Sequence, residues 1–187
     1  MRIVIAGLIG GLVFFLWGAI AHMSLGLGDR GMHYGQSPKA TLAVIQADLA
    51  TPGIHVLPSL PEAQMGDAEA AAAFAKEHVG SGYAFIVYQP GGNPGLADMG
   101  PNLGKQWATD TLAALLAAWL LSLLTGGFGQ RVAVAGALGV FATVALLVPF
   151  WNWYLFPLDF VLGNLAKHAL GWALAGAAMA WWLGRKR

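Results

Sequence analysis

Four long apolar stretches constrain what this chain can fold into. They cover roughly Ile3–Ala21, Ala108–Leu124, Val132–Phe150 and Leu158–Leu183. A helix needs about 20 apolar residues to cross a hydrocarbon core about 30 Å thick, and each stretch is close to that length. Because lipid offers no hydrogen-bond partners, each stretch is expected to satisfy its own backbone as a helix. We therefore predict an α-helical integral membrane protein with four transmembrane helices.

The rest of the chain divides into one long connection and several short ones. We predict transmembrane helices over 1–22, 108–125, 132–150 and 158–184, a long loop over 23–107, an outer aromatic turn over 151–157 and a basic tail over 185–187. Only 10% of the 187 residues are charged, against about 25% in ordinary soluble domains. This low charge agrees with lipid as the surrounding solvent.

The positive charges of the short connections predict the orientation. Arg2, Arg131 and the tail Arg185, Lys186 and Arg187 fall on one side of the predicted membrane, with no acidic residue among them. An excess of Lys and Arg marks the cytoplasmic side. The loop on the other side carries more acidic than basic residues. Both termini are therefore expected in the cytoplasm and the long loop outside it.

Net charge and cysteine content exclude several classes of function. The formal net charge is +1, so overall charge does not favour nucleic acid as a partner. The chain has no cysteine, which excludes disulfides, thiolate metal ligands and a cysteine nucleophile. No HExxH, GxSxG or phosphate-binding glycine loop is present. We expect no catalytic residue and no cofactor.

The long loop carries the pattern of a small α/β unit over about 37–90. Ser37-Pro38 is typical of a helix start, and Asp67 begins a second helical pattern. Apolar runs over Ile54–Leu57 and Tyr83–Tyr88 predict two strands. Two short helices and two strands bury too little apolar surface to be stable alone. We therefore expect the unit to rely on the membrane helices or on another chain.

The stretch "AHMSLGLGDRGMHY", residues 21–34, leaves two interpretations open. His22, Met23, Met32 and His33 offer the imidazole and thioether groups that suit copper. Met and His are equally ordinary where a helix leaves the bilayer, so a plain juxtamembrane linker is the alternative. Cleavage of a signal peptide after Ala21 would make His22 an amino terminus able to chelate copper. We expect the first helix to be retained.

Four polar residues interrupt the last apolar stretch: Asp159, Asn164, Lys167 and His168. Ionisable groups at bilayer depth are costly and are candidates for function, such as proton relay or transport. In the structural alternative, His168 hydrogen-bonds a neighbouring helix. Lys167 then extends its ammonium to the interface or pairs with Asp159 or Asp110.

Small residues recur along three of the predicted helices. Gly7, Gly11 and Gly18 follow one another on the first, Ala135 and Gly139 lie on the third, and Gly171, Ala175 and Ala178 lie on the fourth. Such strips let helix backbones approach closely, in one bundle or between copies of the chain.

Trp151, Asn152, Trp153 and Tyr154 form an aromatic motif between the third and fourth helices. Trp and Tyr favour the headgroup level, so this motif is expected to anchor the outer interface. Aromatic residues are also favoured at protein interfaces, and a docking surface for the α/β unit or for a partner is the alternative.

Four segments, "FLWGAIAHM", "GIHVLP", "PFWNWYLFP" and "GWALAGAAMAWW", resemble a family of small multi-pass bacterial inner-membrane proteins with no assigned activity. The resemblance implies the same topology in the inner membrane and carries over no catalytic residue. We expect a non-enzymatic accessory or assembly protein whose partners are the lipid bilayer and another membrane protein or a second copy. The alternative is a small transporter or copper-handling protein that uses the His, Met and Lys groups.

Overall fold

The computed structural model describes residues 1–185, and that part of the chain is mostly helical. Its six α-helices are α1 Arg2–Met23, α2 Pro38–Asp48, α3 Ala68–His78, α4 Gly100–Ser122, α5 Phe128–Tyr154 and α6 Leu158–Leu183, and its two strands are β1 Gly53–Leu57 and β2 Ala84–Tyr88. The chain divides into two compact units. The helical unit joins Met1–His33 to the chain from Gly95 onward, and the insert unit is Tyr34–Pro94. Lys186 and Arg187 of the predicted tail lie outside the described residues.

The four long helices of the helical unit run alternately in opposite directions. Residues that touch across each pair have numbers that rise on one helix and fall on the other. Between α1 and α4, Gly7 contacts Leu115 and Gly11 contacts Thr111. Between α5 and α6, Gly139 contacts His168 and Ala135 contacts Gly176. Between α1 and α6, Gly10 contacts Met179 and Trp17 contacts Gly171. The start of α1 therefore lies at the same end as the last turns of α4 and α6.

Small side chains form the core of the helical unit. Its buried members are Ala6, Ala114, Ala117, Ala118, Leu121, Ala135, Ala175 and Met179. Larger apolar side chains point outward. On α1, Leu8, Leu12 and Leu16 are 47%, 49% and 52% exposed. Small residues at helix contacts allow close backbone approach, which is how helices associate in lipid.

Two helices, α1 and α5, are long and apolar enough to cross a membrane, and most of each lies on the surface of the chain. The other two long helices carry more polar residues. α4 begins with the polar stretch Gly100–Gln106 and includes Asp110, whereas α6 includes Lys167 and His168. Length and apolarity alone therefore identify two of the four predicted spans.

The ends of two predicted segments differ in the structure. The predicted loop over 23–107 stops at Met99, because α4 begins at Gly100 with a proline in its first turn. The predicted turn over 151–157 is shorter: Trp151–Tyr154 form the last turn of α5. Leu155, in the left-handed conformation at φ 55°, ends α5. Pro157, with its fixed φ, precedes α6, so three residues suffice to reverse the chain.

The insert unit contains the two predicted helices, α2 and α3, and the two predicted strands, β1 and β2. Asp67 precedes α3, and its Oδ1 accepts hydrogen bonds from the backbone N–H groups of Glu69 and Ala70 at 2.9 and 3.1 Å. The strands β1 and β2 pair in antiparallel fashion, with Gly53 opposite Tyr88.

The insert unit has almost no core. Among its residues only Leu49 and Tyr88 are buried, and no residue of α2 or α3 is buried. Ile54 and Val87 face each other across the two strands and are 64% and 76% exposed. A two-stranded sheet without a covered face is only marginally stable in water.

Candidate functional site

A group of polar side chains lies between the middle of the helical unit and the end at which α6 begins. We call it the polar layer: Asp110 on α4, Thr143 on α5, and Asn164, Lys167 and His168 on α6. Three of the four polar residues predicted on the last helix belong to it. Two further helices contribute to it, so helix packing assembles the polar layer from distant parts of the chain.

His168 and Thr143 connect α6 to α5. The Thr143 hydroxyl is buried and donates to the Gly139 carbonyl oxygen at 3.0 Å. Its oxygen lies 2.9 Å from His168 Nδ1. A hydroxyl has one proton and two lone pairs, so Thr143 can hold both groups at once when the proton of its bond to His168 is on Nδ1.

Lys167 contacts α1 through its backbone and not through its ammonium group. Its carbonyl oxygen accepts a hydrogen bond from Trp17 Nε1 at 2.8 Å. Both ion pairs within 4.0 Å found among residues 1–185 involve histidine, so Lys167 does not form the pair with Asp159 or Asp110 that was one of its predicted alternatives. It does lie within electrostatic range of Asp110 and His168. The charge of the half-buried Lys167 therefore acts on side chains of α4 and α6 without a direct salt bridge.

Asp110 is the most buried carboxylate described, at 7% exposure. Gln106, one helical turn earlier on α4, donates to Asp110 Oδ1 at 2.8 Å. Buried charges need hydrogen bonds or an opposite charge nearby, and Asp110 has Gln106 and the field of Lys167.

Asn164 and Asp159 are held by α6 itself. Asn164 is buried, and its amide donates to the Phe160 carbonyl oxygen at 2.9 Å. Asp159 is exposed in the first turn of α6, where the partial positive charge of a helix N-terminus favours a carboxylate. Asp159 therefore does not belong to the polar layer.

The segment that follows α1 packs against the start of α6. Gly163 has no room for a side chain because the Leu27 carbonyl and the Arg30 side chain lie against it, and Gly31 lies against Pro157. His22 Nδ1 lies 3.3 Å from Asp29 Oδ1 across the turn. The segment is thus attached to the helical unit.

The predicted copper ligands are all exposed: His22, Met23, Met32 and His33. In the part of the chain that the structure describes, no group of three or more His, Cys, Asp or Glu side chains is arranged to hold a metal ion. His22 contacts Asp29 instead. The copper site stays a prediction.

Three arginines lie at the opposite end of the helical unit. Arg131 Nε and Nη2 donate to the carbonyl oxygens of Leu121 and Leu124 at 3.2 and 3.3 Å, which adds side-chain donors at the end of α4. Arg2 donates to the Arg185 carbonyl oxygen. The Arg185 guanidinium carbon lies 4.1 Å from the centroid of the Trp181 ring.

The aromatic motif at the end of α5 is exposed on all four residues, Trp151, Asn152, Trp153 and Tyr154. Phe150, just before it, contacts Tyr154 and Phe156 with ring centroids 5.6 and 5.2 Å apart. These contacts support the aromatic end of α5 from the inside and leave Trp151 and Trp153 accessible.

Two residues were not predicted from the sequence: Thr143, which belongs to the polar layer, and Gln106, which donates a hydrogen bond to Asp110. A single hydroxyl inside the apolar run "FATVALLV" was the available signal for Thr143. The partner of that hydroxyl lies 25 residues away on α6. A four-residue spacing to Asp110 was the signal for Gln106, because residues four apart are neighbours on a helix.

No protein-family model matches the chain, and no curated protein or solved structure is detectably similar to it.

Proposed function

We propose that this chain is a multi-pass protein of the bacterial inner membrane that acts as a non-enzymatic accessory or assembly component. In this proposal all four long helices cross the bilayer, both termini are cytoplasmic, and the insert unit lies in the periplasm. The observation that carries the proposal is the inverted distribution of side chains in the helical unit. Alanine and glycine make up most of the inside, whereas large apolar side chains, leucine above all, face outward on every long helix.

An inverted distribution of this kind is unfavourable in water. Exposed apolar surface costs about 25 cal/mol per Å² in water, and stripes of leucine along several helices would drive aggregation. In lipid the same surface is solvated, and close packing of small residues holds the helices together. The polar residues of α4 and α6 fit this proposal, because Asp110, Asn164 and His168 turn toward neighbouring groups of the chain.

Charge supports the proposed orientation. Arg2, Arg131 and Arg185 lie in the connections and ends on one side of the bundle, and the acids Asp29 and Asp159 lie toward the other. The side rich in arginine is the cytoplasmic side by the positive-inside rule.

The accessory role is supported by the insert unit and the aromatic motif. The insert unit buries only two residues and exposes an apolar pair on its sheet, so a partner would supply the contacts that it lacks. Trp151 and Trp153 are accessible aromatic residues of the kind that anchor interfaces. The partner in this proposal is another membrane protein or a second copy of the chain.

Single cysteines test the topology cleanly, because the chain has none of its own. Ser81→Cys lies in the insert unit, and Gly129→Cys lies at the start of α5, where a new side chain meets no other atom within 4 Å. With a membrane-impermeant maleimide, intact spheroplasts should label Ser81→Cys at once and Gly129→Cys only after permeabilisation. The reverse pattern would overturn the orientation, and extraction of the protein by carbonate would overturn membrane insertion.

Affinity capture from mildly solubilised membranes tests the accessory role. We expect one stoichiometric partner, or a stable homo-oligomer, that is lost in Trp151→Ala/Trp153→Ala. Trp119→Ala is the matched control, since Trp119 is an exposed tryptophan of α4 away from the motif. A wild-type protein that is captured alone and monomeric would contradict the proposal.

The prediction of a transporter or copper-handling protein is tested by metal analysis of the purified chain. Stoichiometric copper that is lost in His22→Ala or His168→Ala would favour that alternative over the accessory role.

A further inference from the structure

Two arginines from opposite ends of the chain meet where α1 begins and α6 ends. Arg2 donates to the carbonyl oxygen of Arg185, so the two residues are neighbours. The Arg185 guanidinium carbon lies 4.1 Å from the Trp181 ring centroid and 5.1 Å from that of Trp182. We call Arg2, Trp181, Trp182 and Arg185 the Arg–Trp cluster.

No acidic residue of the chain compensates the positive charge of the Arg–Trp cluster. Residues 1–28, 111–158 and 160–187 contain no Asp or Glu, so no carboxylate occurs on α1, on α5, on the α4–α5 connection or on α6 beyond its second residue. Neither arginine of the cluster forms an ion pair within residues 1–185. Like charges held close together repel each other, and an anion from outside the chain would remove this cost.

Both guanidinium groups keep N–H donors for such an anion, since Arg2 uses Nη2 for the Arg185 carbonyl oxygen and an arginine has five N–H groups. Among the described residues, Arg185 makes no side-chain hydrogen bond to protein, and its contact with the two indole rings uses none of its N–H donors for a hydrogen bond to another residue. Arg131 differs, because its Nε and Nη2 are engaged by the end of α4. The planar fork of an arginine matches two oxygens of a phosphate.

The surroundings of the cluster favour a lipid as the source of the phosphate. Trp181 is 54% exposed, and Val4 and Leu8, the next outward-facing residues of α1, are 52% and 47% exposed. A phosphate held by Arg2 and Arg185 would therefore continue into apolar surface that acyl chains can cover. Inorganic phosphate would leave that surface uncovered. The cytoplasmic leaflet, which this end of the bundle faces in the proposed topology, is rich in anionic lipid.

We propose that the Arg–Trp cluster is a binding site for the phosphate group of an anionic phospholipid in the cytoplasmic leaflet. Arg2 and Arg185 hold the phosphate oxygens, the indole of Trp181 lies at the level of the glycerol, and the acyl chains run along α1. The inference rests on the proposed insertion of α1 and α6 in the bilayer. It adds a ligand class and a site to that function.

Thermal unfolding of the purified full-length protein in a neutral detergent tests the site. Phosphatidylglycerol, phosphatidylcholine and inorganic phosphate are added separately, and the melting temperature is measured. At a lipid concentration one hundred times its dissociation constant, phosphatidylglycerol should raise Tm by about 5 to 10 °C. Phosphatidylcholine and inorganic phosphate should change it by less than about 2 °C.

Variants then locate the effect. Arg2→Gln/Arg185→Gln should bind phosphatidylglycerol at least about tenfold more weakly, because charge-assisted hydrogen bonds are lost. Lys39→Gln/Lys76→Gln removes the same charge from exposed positions of the insert unit and should bind like wild type. Arg185→Lys keeps the charge but loses the planar fork, and should fall between them. Native mass spectrometry should show one retained phosphatidylglycerol in wild type and none in the double variant.

Three results would overturn the site. Equal stabilisation by phosphatidylglycerol and phosphatidylcholine would mean that the chain does not select charge. Equal stabilisation by inorganic phosphate would assign the cluster to a soluble anion. Equal losses in the two double variants would mean that overall charge, and not the Arg–Trp cluster, attracts the lipid. Failure of membrane insertion is a separate result, since it is read from carbonate extraction of the same protein.

Discussion

The helical unit and the insert unit solve the problem of apolar surface in opposite ways. The helical unit buries alanine and glycine and turns its large apolar side chains outward. The insert unit has amphipathic helices and strands of ordinary soluble type, yet it buries only Leu49 and Tyr88. In the proposed function, lipid covers the outside of the helical unit and a partner protein covers the insert unit.

The comparison separates two sources of stability. Tight backbone contacts at glycine and alanine, together with a few interhelical hydrogen bonds, hold the helical unit. The insert unit has a ladder of backbone hydrogen bonds between two five-residue strands and one capped helix. Such a unit gains too little from burial to offset the entropy of ordering its chain.

Excision of the insert unit should give the largest effect. We expect a peptide of residues 34–94 to be unfolded, with no cooperative thermal transition by circular dichroism and little dispersion of its amide resonances. A chain in which a short Gly–Ser linker replaces the same residues should keep a helical, monodisperse fold in detergent. A cooperative transition of the isolated peptide would break the contrast between the two units.

Substitution of glycine at a helix contact should give the next largest effect. A Cβ on Gly11 would lie 2.6 Å from Thr111 Cα on α4, whereas a Cβ on Gly18 of the same helix meets nothing within 4 Å. Gly11→Ala should destabilise the protein by about 1 to 3 kcal/mol through overpacking. Gly18→Ala is the matched control and should be neutral or slightly stabilising. Unfolding in mixed micelles measures both, and equal values would refute close packing as the basis of stability.

Loss of the hydrogen bond between α5 and α6 should have a moderate effect. Thr143→Val removes the hydroxyl that hydrogen-bonds His168 Nδ1 while keeping the shape of the side chain. Interhelical hydrogen bonds in membrane proteins contribute about 0.6 to 1.7 kcal/mol, and we expect a loss in that range. Thr109→Val, whose hydroxyl is exposed and bonds within its own helix, should cost less. A double-mutant cycle with His168→Leu should return a coupling energy of similar size. A coupling energy of zero would mean that this hydrogen bond does not stabilise the helical unit.

Neutralisation of Arg131 should have the smallest effect. Arg131→Gln removes the donors that satisfy the last turn of α4, and we expect a loss of about 0.5 to 1 kcal/mol. Arg131→Lys keeps the charge near the helix end and should lose less. If both variants unfold like wild type, water satisfies these carbonyls as well as arginine does.

Local signals were sufficient to predict the elements but not their packing. Asp67 before an alanine-rich run, Ser37-Pro38 and the apolar run at residues 83–88 each depend on neighbours within a few residues, and the structure has the corresponding helices and strand. The spacing of Gly7, Gly11 and Gly18 predicted one continuous strip. In the structure Gly7 and Gly11 meet α4, but Gly18 faces open space. The spacing of small residues on one helix does not show how far along that helix a second helix stays in contact with it.

The candidate site shows the same limit. The polar residues of α6 were visible as interruptions of an apolar stretch, but their partners depend on which helix lies opposite. The contacts of His168 with Thr143 and of Lys167 with Trp17 span 25 and 150 residues. The predicted turn over 151–157 was too long for a related reason. Tryptophan and asparagine at a helix end are indistinguishable by composition from the same residues in a loop.

Arg131 links two properties of the chain that are usually carried by different residues. Its charge belongs to the set that would decide which way α4 and α5 thread through the bilayer, and its N–H groups close the last turn of α4 from the first turn of α5. In the proposed topology, the residue that sets the orientation of this hairpin also links its two helices, so the hairpin can enter the membrane with these hydrogen bonds already formed. Incorrect insertion of this hairpin would therefore break these two hydrogen bonds as well as misplace a charge.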